Sequence, residues 1–132
     1  MKKYILDSFA VLAFLKKEKN WETVQDILFM AVDEKATLSI CAVNYGEIYY
    51  TSLRTEGPTK TDSIMAAVDT LPISIMSADR ELTMLAGEFK SRGGISYADC
   101  FVAALAKQQT AIVVTGDKEF KGVESEVDVL WI

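Results

Sequence analysis

Short apolar runs that stop at an acid constrain this chain most. Tyr4-Ile5-Leu6 runs into Asp7, and Ile112-Val113-Val114 runs through Thr115-Gly116 into Asp117. Runs this short and this uniformly apolar read as strands buried on both faces, and such strands belong to parallel sheets. In open sheets of that kind, ligands bind outside the carboxyl ends of the strands. The pattern therefore predicts that Asp7 and Asp117 stand at the binding edge of one sheet.

The rest of the chain alternates as such a sheet requires. Residues 3–6 form the first predicted strand, and Asp7-Ser8 caps a helix running to about Lys16. Trp21, Val24, Ile27, Leu28 and Ala31 recur at helical spacing within 21–34. A strand at 37–40 precedes a helix over 42–55, which Gly57-Pro58 ends because proline cannot continue it. A helix over 60–70, a short strand after Pro72 and a helix over 78–91 follow, the last stopped by Gly93-Gly94. The most apolar helix spans 97–109, and strands at 111–115 and 127–132 close the chain. Strands alternating with helices predict an α/β fold in three layers, a mostly parallel central sheet with helices on both faces. No linker, repeat or low-complexity stretch interrupts 1–132, so a single domain is expected.

Two further acids complete a set. Asp99 falls in the first turn of the apolar helix, and Glu47 lies on a helix otherwise rich in Val43, Tyr45, Ile48, Tyr49 and Leu53. Each acid has an ordinary explanation. Asp7 fits a helix N-cap, Ser96-x-x-Asp99 fits a capping box, Asp117 fits a turn, and Glu47 fits a solvated surface. Those explanations account for each residue but not for the set. Were the four to converge, each pair ~4 Å apart would repel by roughly 4 kcal/mol at an effective dielectric near 20. Oxygen-only ligation of that kind suits Mg²⁺ or Mn²⁺.

Composition removes competing chemistries. The chain has no histidine, which excludes Ser-His-Asp hydrolysis, His-pair ribonuclease chemistry and ordinary zinc sites. Its formal charge is −5, so it lacks the basic footprint of a nucleic-acid binder that works by charge alone. Cys41 and Cys100 show no metal or disulfide spacing and are expected to be reduced packing residues. MKKYILD reaches an acid before any long apolar stretch, and no segment approaches the ~20 apolar residues of a membrane span. A cytoplasmic protein with no membrane partner is the expectation.

In this order and spacing the motifs resemble PIN-domain nucleases, and most closely VapC-type toxin ribonucleases of toxin–antitoxin systems. The residues that carry the likeness are Leu6-Asp7-Ser8, Asn44-Tyr-Gly-Glu47-Ile, Ser96-Tyr-Ala-Asp99 heading an Ala-rich helix, and Thr115-Gly-Asp117-Lys-Glu-Phe. The resemblance spans the whole chain. It implies a PIN-like fold and a metal-dependent endoribonuclease that uses Mg²⁺ or Mn²⁺. By this likeness Asp7, Glu47 and Asp99 hold the metal and Asp117 is a fourth acid, direct or through water. Thr115 and Ser8 assist by hydrogen bonding. It also implies an RNA substrate, a cognate antitoxin protein and a homodimer.

Substrate contacts are weakly specified. Lys90 and Arg92 near Asp99, and Lys118 and Lys121 beside Asp117, are candidate phosphate contacts, with Lys16, Lys17 and Lys19 a further small cluster. Phe14, Trp21, Tyr49 and Tyr50 are candidates for a partner groove, although helical spacing makes core the default. A haloacid-dehalogenase-type phosphatase would need a second Asp where Phe9 stands, and a response-regulator receiver would need an Asp ending the middle strand. The alternatives kept are a structure-specific DNA nuclease and a non-catalytic PIN-like interaction module.

Overall fold

Strand β1 (Lys2–Leu6) has two dry faces. Ile5 joins one apolar cluster, while Tyr4 and Leu6 join another on the opposite side. Successive side chains in a strand point to opposite faces, so a strand dry on both has to be covered on both. A computed structural model, describing residues 1–132, shows that three-layer arrangement.

Five parallel strands run in the order β3-β2-β1-β4-β5. They are β1, β2 (Ala36–Cys41), β3 (Ser74–Met76), β4 (Ile112–Thr115) and β5 (Asp128–Trp131). Tyr4 sits opposite Leu38 on one side and Ile112 on the other. The chain builds outward from β1 through α1 (Ser8–Leu15) and α2 (Trp21–Val32) to β2, then through α3 (Ala42–Glu56) and α4 (Pro58–Asp69) to β3. It then crosses through α5 (Arg80–Ser91) and α6 (Tyr97–Gln109) to the other side of β1. The order reverses at β1, and its carboxyl end, with that of β4, borders the crevice of an open α/β sheet.

Local signals set the element ends. Gly57 takes φ +81° after α3, and Pro58 opens α4 at its first position, where a missing N–H costs nothing. Helix α4 therefore begins two residues before the expected 60. Helix α5 starts at Arg80 rather than 78 because Asp79 caps it, its Oδ1 accepting from the Leu82 amide at 2.9 Å. Gly93 and Gly94, at φ +77° and +81°, turn the chain sharply between α5 and α6. One feature was not foreseen: a 3₁₀ turn over Lys118–Val123, capped by Asp117.

The larger core lies between the sheet and α5–α6, with Phe89, Val102, Leu105 and Phe120 fully enclosed. Both cysteines are buried there as free thiols, as expected of packing residues. The second core lies under α1, α2 and α4 and includes Val11, Val24, Ile27 and Val68. No helix is long and apolar enough to cross a membrane.

Candidate active site

Asp7, Glu47, Asp99 and Asp117 all line one cleft of about 290 Å³ at the carboxyl end of β1 and β4. Each arrives by a different route. Asp7 follows the last residue of β1, and Asp117 follows β4 by two residues. Glu47 lies in the second turn of α3 and Asp99 in the first turn of α6. Asn44, fully buried one turn before Glu47, donates from Nδ2 to the Ala98 carbonyl at 3.1 Å and so ties α3 to the start of α6.

The capping roles and the cleft coexist, because a carboxylate has two oxygens. Asp7 Oδ1 accepts from the Ala10 amide at 2.8 Å and caps α1, while Oδ2 accepts from the Thr115 hydroxyl. Thr115 Oγ1 in turn accepts from the Asp117 amide at 2.9 Å, so one buried hydroxyl links the acids after β1 and β4. Asp117 Oδ1 accepts from the Glu119 amide at 3.0 Å. Ser8 donates to Glu47 Oε1 at 2.7 Å. The Ser96 box is only half formed by its own members. Ser96 Oγ accepts from the Asp99 amide at 3.3 Å, but the Ser96 amide goes to Glu119 Oε1 at 3.0 Å. Asp99 thereby keeps its carboxylate for the cleft.

Glu119 is the residue the sequence reading missed. Carboxylate oxygens of Asp99, Asp117 and Glu119 lie within 4.8 Å of one another. The sequence signal was present in Thr115-Gly-Asp117-Lys-Glu119, but only the capped turn, in which the Asp117 carboxylate accepts from the Glu119 amide, brings both carboxylates beside Asp99.

Electrostatics couple the set. Burial pushes the Asp7 carboxyl from 3.8 up to about 7, and the charges of Asp117 and Glu47 add to the rise, against the hydrogen bonds from Thr115 and Ala10. Burial also raises Asp99, followed by its contacts with Asp117 and Glu119. No lysine or arginine lines the cleft. An all-oxygen donor set, buried at Asp7 and Asp99 and half-buried at Glu47 and Asp117, with no basic side chain lining the cleft, fits a hard divalent cation.

A family model for the PIN domain matches residues 4–126. The chain belongs to the PIN-domain family. No curated protein matches it. Among solved structures, this PIN domain is similar to a VapBC complex from Rickettsia felis bound to a DNA fragment from their promoter, with TM-score 0.76, 18% identity and 97% of each chain covered. It is similar to a VapC from Mycobacterium tuberculosis described as a sarcin–ricin loop cleaving toxin, with TM-score 0.71 and 13% identity over 91% of this chain and 94% of that one. It is also similar to FitAcB from Neisseria gonorrhoeae, with TM-score 0.69, 21% identity and 96% of each chain covered. At these identities the likeness concerns the fold.

The basic residues expected near Asp99 are engaged elsewhere in this PIN domain. Lys90 Nζ donates to the Ile95 carbonyl at 2.9 Å, and Arg92 pairs with Glu126 and stacks 4.8 Å over Phe89. Lys107 shares Glu126 at 2.9 Å. Lys118 is exposed, and none of these lines the cleft. Sequence proximity to Asp99 misled because the α5–α6 hairpin turns both side chains onto their own neighbours. Of the aromatics, Phe14 and Trp21 are half-buried against each other, their rings 6.4 Å apart, whereas Tyr49 and Tyr50 are exposed.

The Thr115 link has a testable cost. Thr115→Val keeps the shape but removes both the donor to Asp7 and the acceptor for the Asp117 amide. A loss of about 1–3 kcal/mol is expected in denaturant unfolding with EDTA present, with Thr115→Ser recovering most of it. An unchanged midpoint in the valine variant would show that the hydroxyl does not hold the two acids together.

Proposed function

We propose that this PIN domain is a divalent-metal-dependent endoribonuclease and the toxin of a type II toxin–antitoxin pair. The observation that carries the reading is the convergence of Asp7, Glu47, Asp99 and Asp117 in a cleft lined by no cationic side chain, with the Glu119 carboxylate close to those of Asp99 and Asp117. Asp7, Glu47, Asp99 and Asp117 would hold Mg²⁺ or Mn²⁺, and Glu119 joins them beside Asp99 and Asp117. Such an ion supplies charge neutralisation at a scissile phosphate oxygen and lowers the pKa of the attacking water.

The side chains divide the remaining work. Thr115 fixes the orientation of Asp7, and Ser8 fixes that of Glu47. Asp7 and Asp99, the most enclosed acids, are 1% and 6% exposed and serve as rigid ligands. Glu47 and Asp117 are only half-buried, and either can accept the proton released on attack. With no histidine to drive attack by a 2′-hydroxyl, water attack leaves a 5′-phosphate product.

The VapBC and FitAB complexes among the fold relatives support pairing with an antitoxin protein. Exposed Phe29 and Val32 on α2, and Tyr49, Tyr50 and Leu53 on α3, leave apolar surface for such a partner and for a homodimer in the cytoplasm.

The test is cleavage of labelled cellular RNAs against matched DNA strands with Mg²⁺ or Mn²⁺ present. Ribonuclease action predicts that RNA is cut and DNA spared. Preferential cutting of DNA would overturn the substrate assignment in favour of a structure-specific DNA nuclease, and cutting of neither would favour a non-catalytic module.

A further inference from the structure

Charge alone does not hold a nucleic acid in this cleft. Its lining contains four carboxylates and no lysine or arginine, and the whole chain carries −5. Lys90 and Arg92 are tied to Ile95 and Glu126, and Lys118, although it follows Asp117, is exposed and does not line the cleft. Where basic side chains are missing, stacking of bases on aromatic rings is the other general source of affinity for an unpaired strand.

The cleft contains one aromatic residue, Phe9. It is 48% exposed, whereas the phenylalanines that serve the core, Phe89 and Phe120, are 1% and 0% exposed. It follows Asp7 by two residues, and Leu12, one turn further along α1, continues the same apolar wall. Its ring lies against the backbone at Gly116. A β-carbon on Gly116 would fall 2.3 and 2.7 Å from the Phe9 Cε1 and Cζ atoms and 3.1 Å from the Ile132 carbonyl. Glycine between Thr115 and Asp117 thus leaves the space the ring occupies. One edge of the ring packs on Gly116, and about half of its surface stays open to the acidic cleft.

We propose that Phe9 is the stacking platform for an unpaired nucleobase adjoining the scissile phosphate. The inference rests on the nuclease reading above and deepens it by naming the side chain that positions the base beside the cut. Phe9 positions the strand while the carboxylates act on the phosphate.

The experiment uses a 5′-labelled, mixed-sequence single-stranded RNA with Mn²⁺, and compares wild-type protein with Phe9→Tyr and Phe9→Leu. The same RNA is prepared with an abasic site at each position beside the main cut. kcat and KM are measured separately, and Mn²⁺ affinity is measured directly for each variant. Phe9→Leu is expected to lose about tenfold or more in kcat/KM, the scale of one lost base–aromatic stack, while Phe9→Tyr stays near wild type and Mn²⁺ affinity is unchanged in both. One abasic position should cost the wild type a similar factor and cost Phe9→Leu nothing further, the signature of a shared interaction. Cleavage by Phe9→Leu at the wild-type rate, equal losses in the leucine and tyrosine variants, or an abasic penalty equal in wild type and Phe9→Leu would each overturn the stacking role and leave the nuclease intact. Failure of the wild type to cut any RNA would overturn the nuclease reading and the stacking role together.

Discussion

Asp99→Asn is expected to reduce RNA cleavage by more than about 100-fold, beyond what loss of a mere partner of a metal ligand costs. The same variant should have a higher thermal midpoint than the wild type in EDTA. Both effects come from one cause. Asp99 is buried with the carboxylates of Asp117 and Glu119 nearby and no cation to offset them. Asparagine keeps the size of the side chain and leaves the Asp99 amide free to bond Ser96 Oγ, so the start of α6 survives. It removes a charge the unfolded chain carries freely and the folded chain carries at a cost. Single-turnover cleavage and a thermal melt of the same preparation measure the pair. Retained activity, or a lowered midpoint, would show that Asp99 is a structural cap and not a member of a metal site.

Metal-free protein is expected to lose stability as the pH rises from about 4 to beyond 7. Asp7 titrates near 3.8 when unfolded and near 7 when folded, so across that interval the folded chain binds a proton the unfolded chain has released. Stability from this group is therefore complete below pH 4 and is lost as the pH passes about 7. The interval corresponds to roughly 4 kcal/mol, large for a domain of this size. Mg²⁺ should reverse the loss, because a cation favours the ionised carboxylates and binds only the folded site. Denaturant midpoints at pH 5 and pH 8, with EDTA or Mg²⁺, measure this, and Asp7→Asn should flatten the metal-free profile. A metal-free protein more stable at pH 8 than at pH 5 would contradict it.

Much of this architecture was legible because its signals are local. The apolar runs ending at Asp7 and Asp117 gave β1 and β4 within a residue or two, and the helical spacing of Leu82, Ala86 and Phe89 gave α5. The strand order was not local. Nothing between β3 and β4 states that the chain crosses β1 and β2, and only the packing of α5 and α6 on the opposite face requires it. The site divides in the same way. Asp7, Asp99 and Asp117 stood out at strand and helix ends, and Glu47 as a charge on a helix rich in apolar and aromatic side chains. The fold brings the four to one cleft, whereas Glu119 needed a six-residue 3₁₀ turn too short to leave a periodic trace. Lys90 and Arg92 were misplaced for a related reason: flexible cations take whichever acceptor the tertiary fold offers, here Ile95 and Glu126.

The most direct test of the cleft as a metal-dependent nuclease site is a cleavage assay on one labelled RNA, in EDTA and then with Mg²⁺ restored in excess, with Asp7→Asn run alongside. A carboxylate-held ion predicts no cutting in EDTA, recovery on adding Mg²⁺ to the wild type, and no recovery in Asp7→Asn. Undiminished cleavage in EDTA, or by Asp7→Asn, would contradict it.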